Sequence, residues 1–256
     1  IPEGETKFSD SIYGDILVNN NELDDFIVAR TDGSPTYNFT VVADDNDMSI
    51  THVIRGEDHI SNTPKQIILY EALGYDIPQF AHLPMILGED KKRLSKRHGA
   101  SGVQKFRDQG FLNSALVNYL ALLGWNPGTE QELFSPEELI HEFSIDRVQK
   151  KGAVWDNQKL EWINQQTILR MENDDILVQI RNINSQWGEK QPEETLLSII
   201  ELMKPRSKTF VELIDTTDYF FHDPTEYDPK TMRKRWINSD VNELVNEYKQ
   251  HLENIK

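Results

Sequence analysis

Phe80-Ala81-His82-Leu83-Pro84-Met85-Ile86-Leu87, then Gly88-Glu89-Asp90, then Lys91-Lys92-Arg93-Leu94-Ser95-Lys96-Arg97-His98-Gly99, is the stretch that decides the fold class. The mostly apolar run from Phe80 to Leu87 reads as a buried strand, closed by a short acidic turn. A cationic loop begins just past the strand's end. In parallel α/β sheets ligands sit beyond the carboxyl ends of strands, and clustered ammonium and guanidinium groups there suit a polyphosphate. Seven of the residues from Lys91 to Arg107 are Lys or Arg, in a chain of net charge −16. The reversal of sign is therefore local. A merely solvated charge run is the alternative reading.

Upstream of this strand the pattern predicts Ile50–Arg55 as another strand. Thr63-Pro64 then opens a helix with Ile67, Ile68, Leu69 and Leu73 inward and a stop at Gly74. Strand, helix, strand and functional loop is the order of a parallel α/β sheet. Further upstream, short strands are expected at Gly14–Asn19 and Asp25–Arg30, divided by Asn20-Asn21-Glu22. The loop 31–35 delivers the chain to a helix with Ser34 as cap and Pro35 at its first position. That helix carries Tyr37, Phe39, Val41 and Val42 and ends in Asp44-Asp45-Asn46-Asp47.

Downstream of Gly102 the strand signal disappears. Phe106, Phe111, Leu112, Leu116, Tyr119, Leu120 and Leu123 recur at helical spacing and end at Gly124. Ser135-Pro136-Glu137-Glu138 is a helix start, its acidic first turn matched to the macrodipole. Leu160, Trp162, Ile163 and Ile168 lie on another helix. Three or four amphipathic helices follow beyond residue 171, broken at Gly188, Pro192, Pro205, Pro224 and Pro229. The expected architecture is α/β followed by all-α.

Composition narrows the function classes. No run of about 18 apolar residues is present, so no membrane span is expected, and no basic-plus-apolar leader opens the chain. Cysteine is absent, which removes thiol catalysis and Cys-based zinc sites and points to a cytoplasmic setting. A pI near 4.8 argues weakly against nucleic acid, because screening over about 8 Å lets one basic face act alone.

Three further groups of residues suggest chemistry. Thr51-His52-Val53-Ile54-Arg55-Gly56-Glu57-Asp58-His59 sets an arginine at a strand's end before a glycine, two carboxylates and a histidine. Arg55 either pairs locally with Glu57 or Asp58 or meets a ligand, and His59 is either structural or functional. As a metal set these residues are weak. Around Pro205, the cations Lys204, Arg206 and Lys208 either complement helix ends or face RNA. Lys230, Arg233, Lys234, Arg235 and Trp236 form another basic cluster, whose tryptophan suits a bundle core or stacking on RNA.

Arg93-Leu94-Ser95-Lys96-Arg97 resembles the Lys-Met-Ser-Lys-Ser signature of class I aminoacyl-tRNA synthetases, in the variant of the glutamyl enzymes. Three more blocks carry the same resemblance: Asp32-Gly33-Ser34-Pro35-Thr36-Tyr37, Val53 to His59, and Asp156-Asn157-Gln158-Lys159-Leu160-Glu161-Trp162-Ile163-Asn164. The resemblance implies a Rossmann-type catalytic half and ligation of L-glutamate to tRNA(Glu) through an adenylate. ATP with Mg2+ is then a substrate, no zinc site is expected, and monomer is the default state. Lys96, Arg93 and Ser95 match the catalytic phosphate loop. Glu57, Asp58, His59, Met85 and Ile86 match residues near ATP, joined there by Arg93 and Lys96. Tyr37 and Arg55 match the glutamate pocket, and Arg206, with Lys204 and Lys208 beside it, matches an anticodon-reading stretch.

The other class signature, His-Ile-Gly-His, has no match here, and the chain opens at Ile1 rather than methionine. The resemblance thus implies a fragment, inactive alone. Residues 1–30 would end an inserted acceptor-binding domain, and 31–100 would form the second catalytic half. Residues 101–170 would contact the tRNA stem, and 171–256 would form part of a helical anticodon-binding region. A catalytically inactive tRNA-binding or regulatory module is the competing function.

Overall fold

The computed structural model describes residues 1–94, 102–223, 226–235 and 240–253. Strand β1 (Glu5–Asp10) alternates exposed and buried positions, so Thr6, Phe8 and Asp10 all face inward. It pairs antiparallel with β2 (Gly14–Asn19). Helix α1 (Tyr37–Asp47), β3 (His52–Gly56), α2 (Thr63–Leu73) and β4 (Gln79–Leu83) complete the first layer. The sheet order is β2-β1-β4-β3. Strands β3 and β4 run parallel with Arg55 beside His82, and Asp10 of β1 lies beside Phe80 of β4. Phe8, Val42, Ile67, Tyr70 and Phe80 fill the space between sheet and helices. Gln66 and Tyr70, not Leu73, take the inner face of α2.

Four expectations are corrected. The run 80–87 is two strands, because Pro84 has no N–H to donate and interrupts the ladder. Beyond it β5 (Ile86–Leu87) joins a second sheet with β6 (Ala153–Val154), a strand in the segment expected to be purely helical. Gly152 makes that pairing possible: a Cβ there would lie 3.0 Å from the Met85 carbonyl oxygen and 2.9 Å from Leu87 Cδ1. Asp25–Arg30 is no strand; Ala29 makes a single bridge to Pro35. The same loop moves the start of α1 to Tyr37. Ser34 is committed to Asp32, whose Oδ1 accepts from its N (2.9 Å) and Oγ (2.6 Å), and Thr36 N donates to Val28 O at 2.9 Å.

The helical half begins with α3 (Val103–Asp108), α4 (Asn113–Leu122), α5 (Pro136–Glu142) and α6 (Asn157–Arg170). At α5 the full capping box forms, with Ser135 and Glu138 each accepting from the other's backbone N–H. The helical spacing from Phe106 to Leu123 is broken at Gly110, whose φ is +79°. A Cβ at Gly110 would meet Val211 N at 2.6 Å, so this glycine lets α9 (Phe210–Thr216) pack closely. Helices α7 (Asn173–Ile183) and α8 (Glu193–Met203) enclose a core with α9 around Ile176, Ile180, Ile200 and Leu213. With α10 (Pro229–Arg235) and α11 (Asp240–Glu253), five α-helices lie beyond residue 171 among the described residues, rather than three or four. Short helices of about two turns carry too few apolar repeats to be counted from periodicity. Buried Asn164 on α6 joins the segments, accepting from Leu112 N (2.8 Å) and donating to Lys208 O (2.6 Å).

Candidate functional site

Arg55 stands near the carboxyl end of β3 and is not paired with Glu57 or Asp58. Its Nε donates to His82 Nε2 (3.2 Å), and its Nη2 donates to Thr63 Oγ1 and Gln66 Oε1 (2.8 Å each). The guanidinium lies 5.7 Å from the Phe80 ring centroid. Burial pulls its pKa below the ordinary arginine value, an effect opposed by Tyr37 and Asp45. Arginine remains a cation through such shifts. The result is a half-buried, oriented cation whose Nη1 makes none of these three bonds.

His82 is fully buried and holds Asp10 Oδ2 at 2.6 Å through Nδ1. Burial lowers its pKa, against the raising effect of Asp10. Burial likewise works against the Asp10 carboxylate. Hydrogen bonds from Tyr13, His82 and Ile12 outweigh that cost and hold it below the usual carboxylate range.

Tyr37, at the first turn of α1, is half exposed, and its hydroxyl lies 3.3 Å from His59 Nδ1. Asn62 Nδ2 lies at the same distance from that nitrogen. Tyr37 also figures among the groups sustaining the Arg55 charge, so these two sequence-predicted residues do come together.

Glu57 is spoken for within the protein. Its Oε1 accepts from Met85 N at 2.9 Å, and Tyr13 donates its hydroxyl to the other oxygen. Burial and this carboxylate push the Tyr13 pKa up to about 12. Met85 and Ile86 are half-buried beside it, at the start of β5. Glu57 therefore fixes the backbone that leads into the cationic loop.

Asp58 reaches that loop directly, 3.0 Å from Arg93 Nη2. The loop's root is a small hairpin: Arg93 bridges Leu87, Leu94 N donates to Ile86 O (2.8 Å), and Gly88 N donates to Lys92 O (2.8 Å). Ser95 and Lys96 lie outside the described residues, as does Trp236. Among the described residues no His, Asp and Glu side chains gather as a metal-ligand set, and no helix is long and apolar enough to cross a membrane.

The basic trio near Pro205 is not uniform. Lys204 Nζ bonds Asn173 Oδ1 and Glu201 Oε2, each at 2.9 Å. Lys208 Nζ pairs with Glu161 at 2.6 Å, which raises its pKa. Arg206 is exposed and, among the described residues, its side chain makes no hydrogen bond or ion pair. Of the three, it is the cation free to meet a ligand. Trp162 lies beneath Lys159, whose Nζ is 4.7 Å from the ring centroid.

Sequence reasoning missed Asp10, Tyr13, Thr63, Gln66 and His82 as parts of the site. A histidine within an apolar strand and a glutamine on the inner face of a helix were the available signals, since buried polar groups require partners.

A family model described as tRNA synthetases class I (E and Q), catalytic domain, matches residues 1–162, and an anticodon binding domain model matches residues 159–256. The chain is 43% identical over 257 residues to a glutamate–tRNA ligase of Caldanaerobacter subterraneus, covering 99% of this chain and 53% of that protein. It is 48% identical over 232 residues to one from Syntrophus aciditrophicus, covering 90% and 49%. The crystal structure of a glutamate tRNA ligase from Elizabethkingia meningosepticum, in complex with its amino acid, superposes with a TM-score of 0.87 at 34% identity. That match covers 100% of this chain and 54% of the other. The chain spans about half the length of the curated relatives it matches.

Proposed function

The chain belongs to the class I tRNA synthetases of the glutamate and glutamine type, and we propose that it supplies the second catalytic half and the anticodon-binding helices of a glutamate–tRNA ligase. In that reaction a glutamate carboxylate oxygen attacks the α-phosphorus of ATP. The bond to pyrophosphate breaks, and glutamyl-adenylate forms. A terminal tRNA hydroxyl then attacks the acyl carbon and releases AMP.

One observation carries this reading. At the carboxyl ends of parallel β3 and β4 stand a half-buried, oriented guanidinium (Arg55), an edge held by Glu57 (Met85, Ile86), and the root of a cationic loop (Arg93). A guanidinium held on one side by His82, Thr63 and Gln66, with Tyr37 beside it, suits a substrate carboxylate. Asp58, His59 and the backbone at Met85–Ile86 would line the nucleotide, while Arg93, Ser95 and Lys96 would meet its phosphates. Mg2+ would enter as the counter-ion of ATP, keeping waters and phosphate oxygens as its main ligands.

Residues 1–30 close an inserted acceptor-binding domain, 31–100 form the catalytic half, 101–170 contact the tRNA stem, and 171–256 contribute anticodon contacts. The protein works in the cytoplasm as a monomer with tRNA(Glu), ATP and L-glutamate. The test is glutamate-dependent exchange of labelled pyrophosphate into ATP, by a protein of the relatives' full length carrying these residues. Exchange that requires glutamate is expected. A protein that binds tRNA without any exchange would instead be the inactive RNA-binding module.

Arg206, without a side-chain partner among the described residues and beside two tethered lysines, is the proposed anticodon contact. If it reads a base, Arg206→Ala costs about 1–3 kcal/mol and the loss depends on which base is present. If it touches phosphate, the loss is uniform across tRNA variants and shrinks as salt rises. Aminoacylation of tRNAs differing only at the third anticodon position, at two salt concentrations, separates these outcomes. An Arg206→Ala enzyme indistinguishable from the parent on every tRNA removes the residue from the interface.

A further inference from the structure

Arg55 does not orient itself. Parallel register sets Arg55 and His82 side by side on β3 and β4, and the turn after β1 brings Asp10 beneath His82. Asp10 and His82 are 1% and 0% exposed. Asp10 Oδ1 accepts from Ile12 N (3.0 Å) and Tyr13 N (2.9 Å), so the turn locks the carboxylate. Its Oδ2 accepts from His82 N (3.1 Å) and lies 2.6 Å from His82 Nδ1.

A carboxylate can only accept, so the imidazole proton resides on Nδ1. Nε2 is then a lone-pair acceptor, and Arg55 Nε donates to it at 3.2 Å, with Thr63 Oγ1 beside it at 3.1 Å. A proton on Nε2 would leave that nitrogen only Thr63 Oγ1 to bond and would deprive the Arg55 Nε–H of its acceptor. The sense of every bond from Asp10 to Arg55 follows from the carboxylate, while Thr63 and Gln66 hold the other side of the fork.

We propose that Asp10 and His82 are positioning residues for amino-acid binding: they fix the tautomer and acceptor that aim the Arg55 guanidinium at the substrate carboxylate. The inference rests on the proposed role of Arg55 in binding glutamate. Neither residue touches substrate, and neither lies in the motifs that mark the family in the sequence.

The test compares Asp10→Asn with Arg55→Ala in the complete enzyme. In Asp10→Asn the amide oxygen stays on Ile12 and Tyr13, and an N–H2 group faces His82 Nδ1. The imidazole proton moves to Nε2 and opposes the Arg55 N–H, as in the wrong-tautomer variant of a catalytic triad. Glutamate KM should rise up to about 100-fold, the scale of a misplaced binding group. The KM for ATP should be unchanged and kcat should stay within a few-fold of the parent.

If Arg55→Ala raises glutamate KM and folded Asp10→Asn does not, the positioning role is overturned and the Arg55 reading survives. If Arg55→Ala leaves glutamate KM unchanged, the Arg55 reading itself fails, and the inference with it. Should Asp10→Asn fail to fold, nitrogen-15 NMR of the histidines in the unmodified enzyme decides. A neutral His82 with its proton on Nδ1 is expected, and a proton on Nε2 overturns the proposal.

Discussion

Replacing Lys96 by alanine, in the complete enzyme, should lower the rate of glutamyl-adenylate formation by about 10²- to 10³-fold, the cost of removing one preorganised transition-state donor. Negative charge flows onto pyrophosphate as the α-phosphorus bond breaks, and an ammonium that tightens on that charge acts on the barrier rather than on ground-state binding. Glutamate KM should therefore move little. At the loop's root Leu94 hydrogen-bonds Ile86 and Arg93 bridges Leu87, so Lys96 follows two residues after a fixed point in the chain. Single-turnover adenylate formation at saturating glutamate measures the effect. A variant with normal turnover and impaired glutamate binding would reassign the residue.

Arg55→Ala should show the opposite pattern. Truncating one partner of a buried, hydrogen-bonded charge pair costs about 2–5 kcal/mol. At about 1.4 kcal/mol per decade, glutamate KM should rise by roughly 30-fold or more. The variant also strands Thr63, Gln66 and His82 around an empty volume, so its thermal unfolding midpoint should fall as well. Arg55→Lys should restore little of either, because one ammonium cannot reproduce the planar fork that meets His82, Thr63 and Gln66 together. Steady-state titration of glutamate at saturating ATP, beside a calorimetric scan, reads both effects. Recovery of normal KM by lysine would mean that charge alone matters at this position.

The residues that proved hardest to place from sequence are those whose roles depend on distant partners. The motif groups Glu57 with ATP, and only the tertiary structure shows that its oxygens accept from Met85 N and the Tyr13 hydroxyl. Lys204, Arg206 and Lys208 looked equivalent as three cations around a proline. Partners on α7, at the end of α8 and on α6 tie down the two lysines, while the arginine has no such partner among the described residues.

Local chemistry determined the β2 strand at Gly14–Asn19, the helix from Thr63 to Leu73 ending at Gly74, the capping box at Ser135 and the cationic stretch after Leu87. Each depends on side chains within a few positions of one another, so the sequence carries its own evidence. Tertiary structure alone decided that Pro84 hands the chain from one sheet to another, that Gly110 admits α9, and that Asp10 and His82 stand behind Arg55. Asp10 and His82 lie 72 residues apart. Their bond is specified by strand order and register, which local periodicity does not encode, and it persists because a buried carboxylate without donors would be too costly to keep.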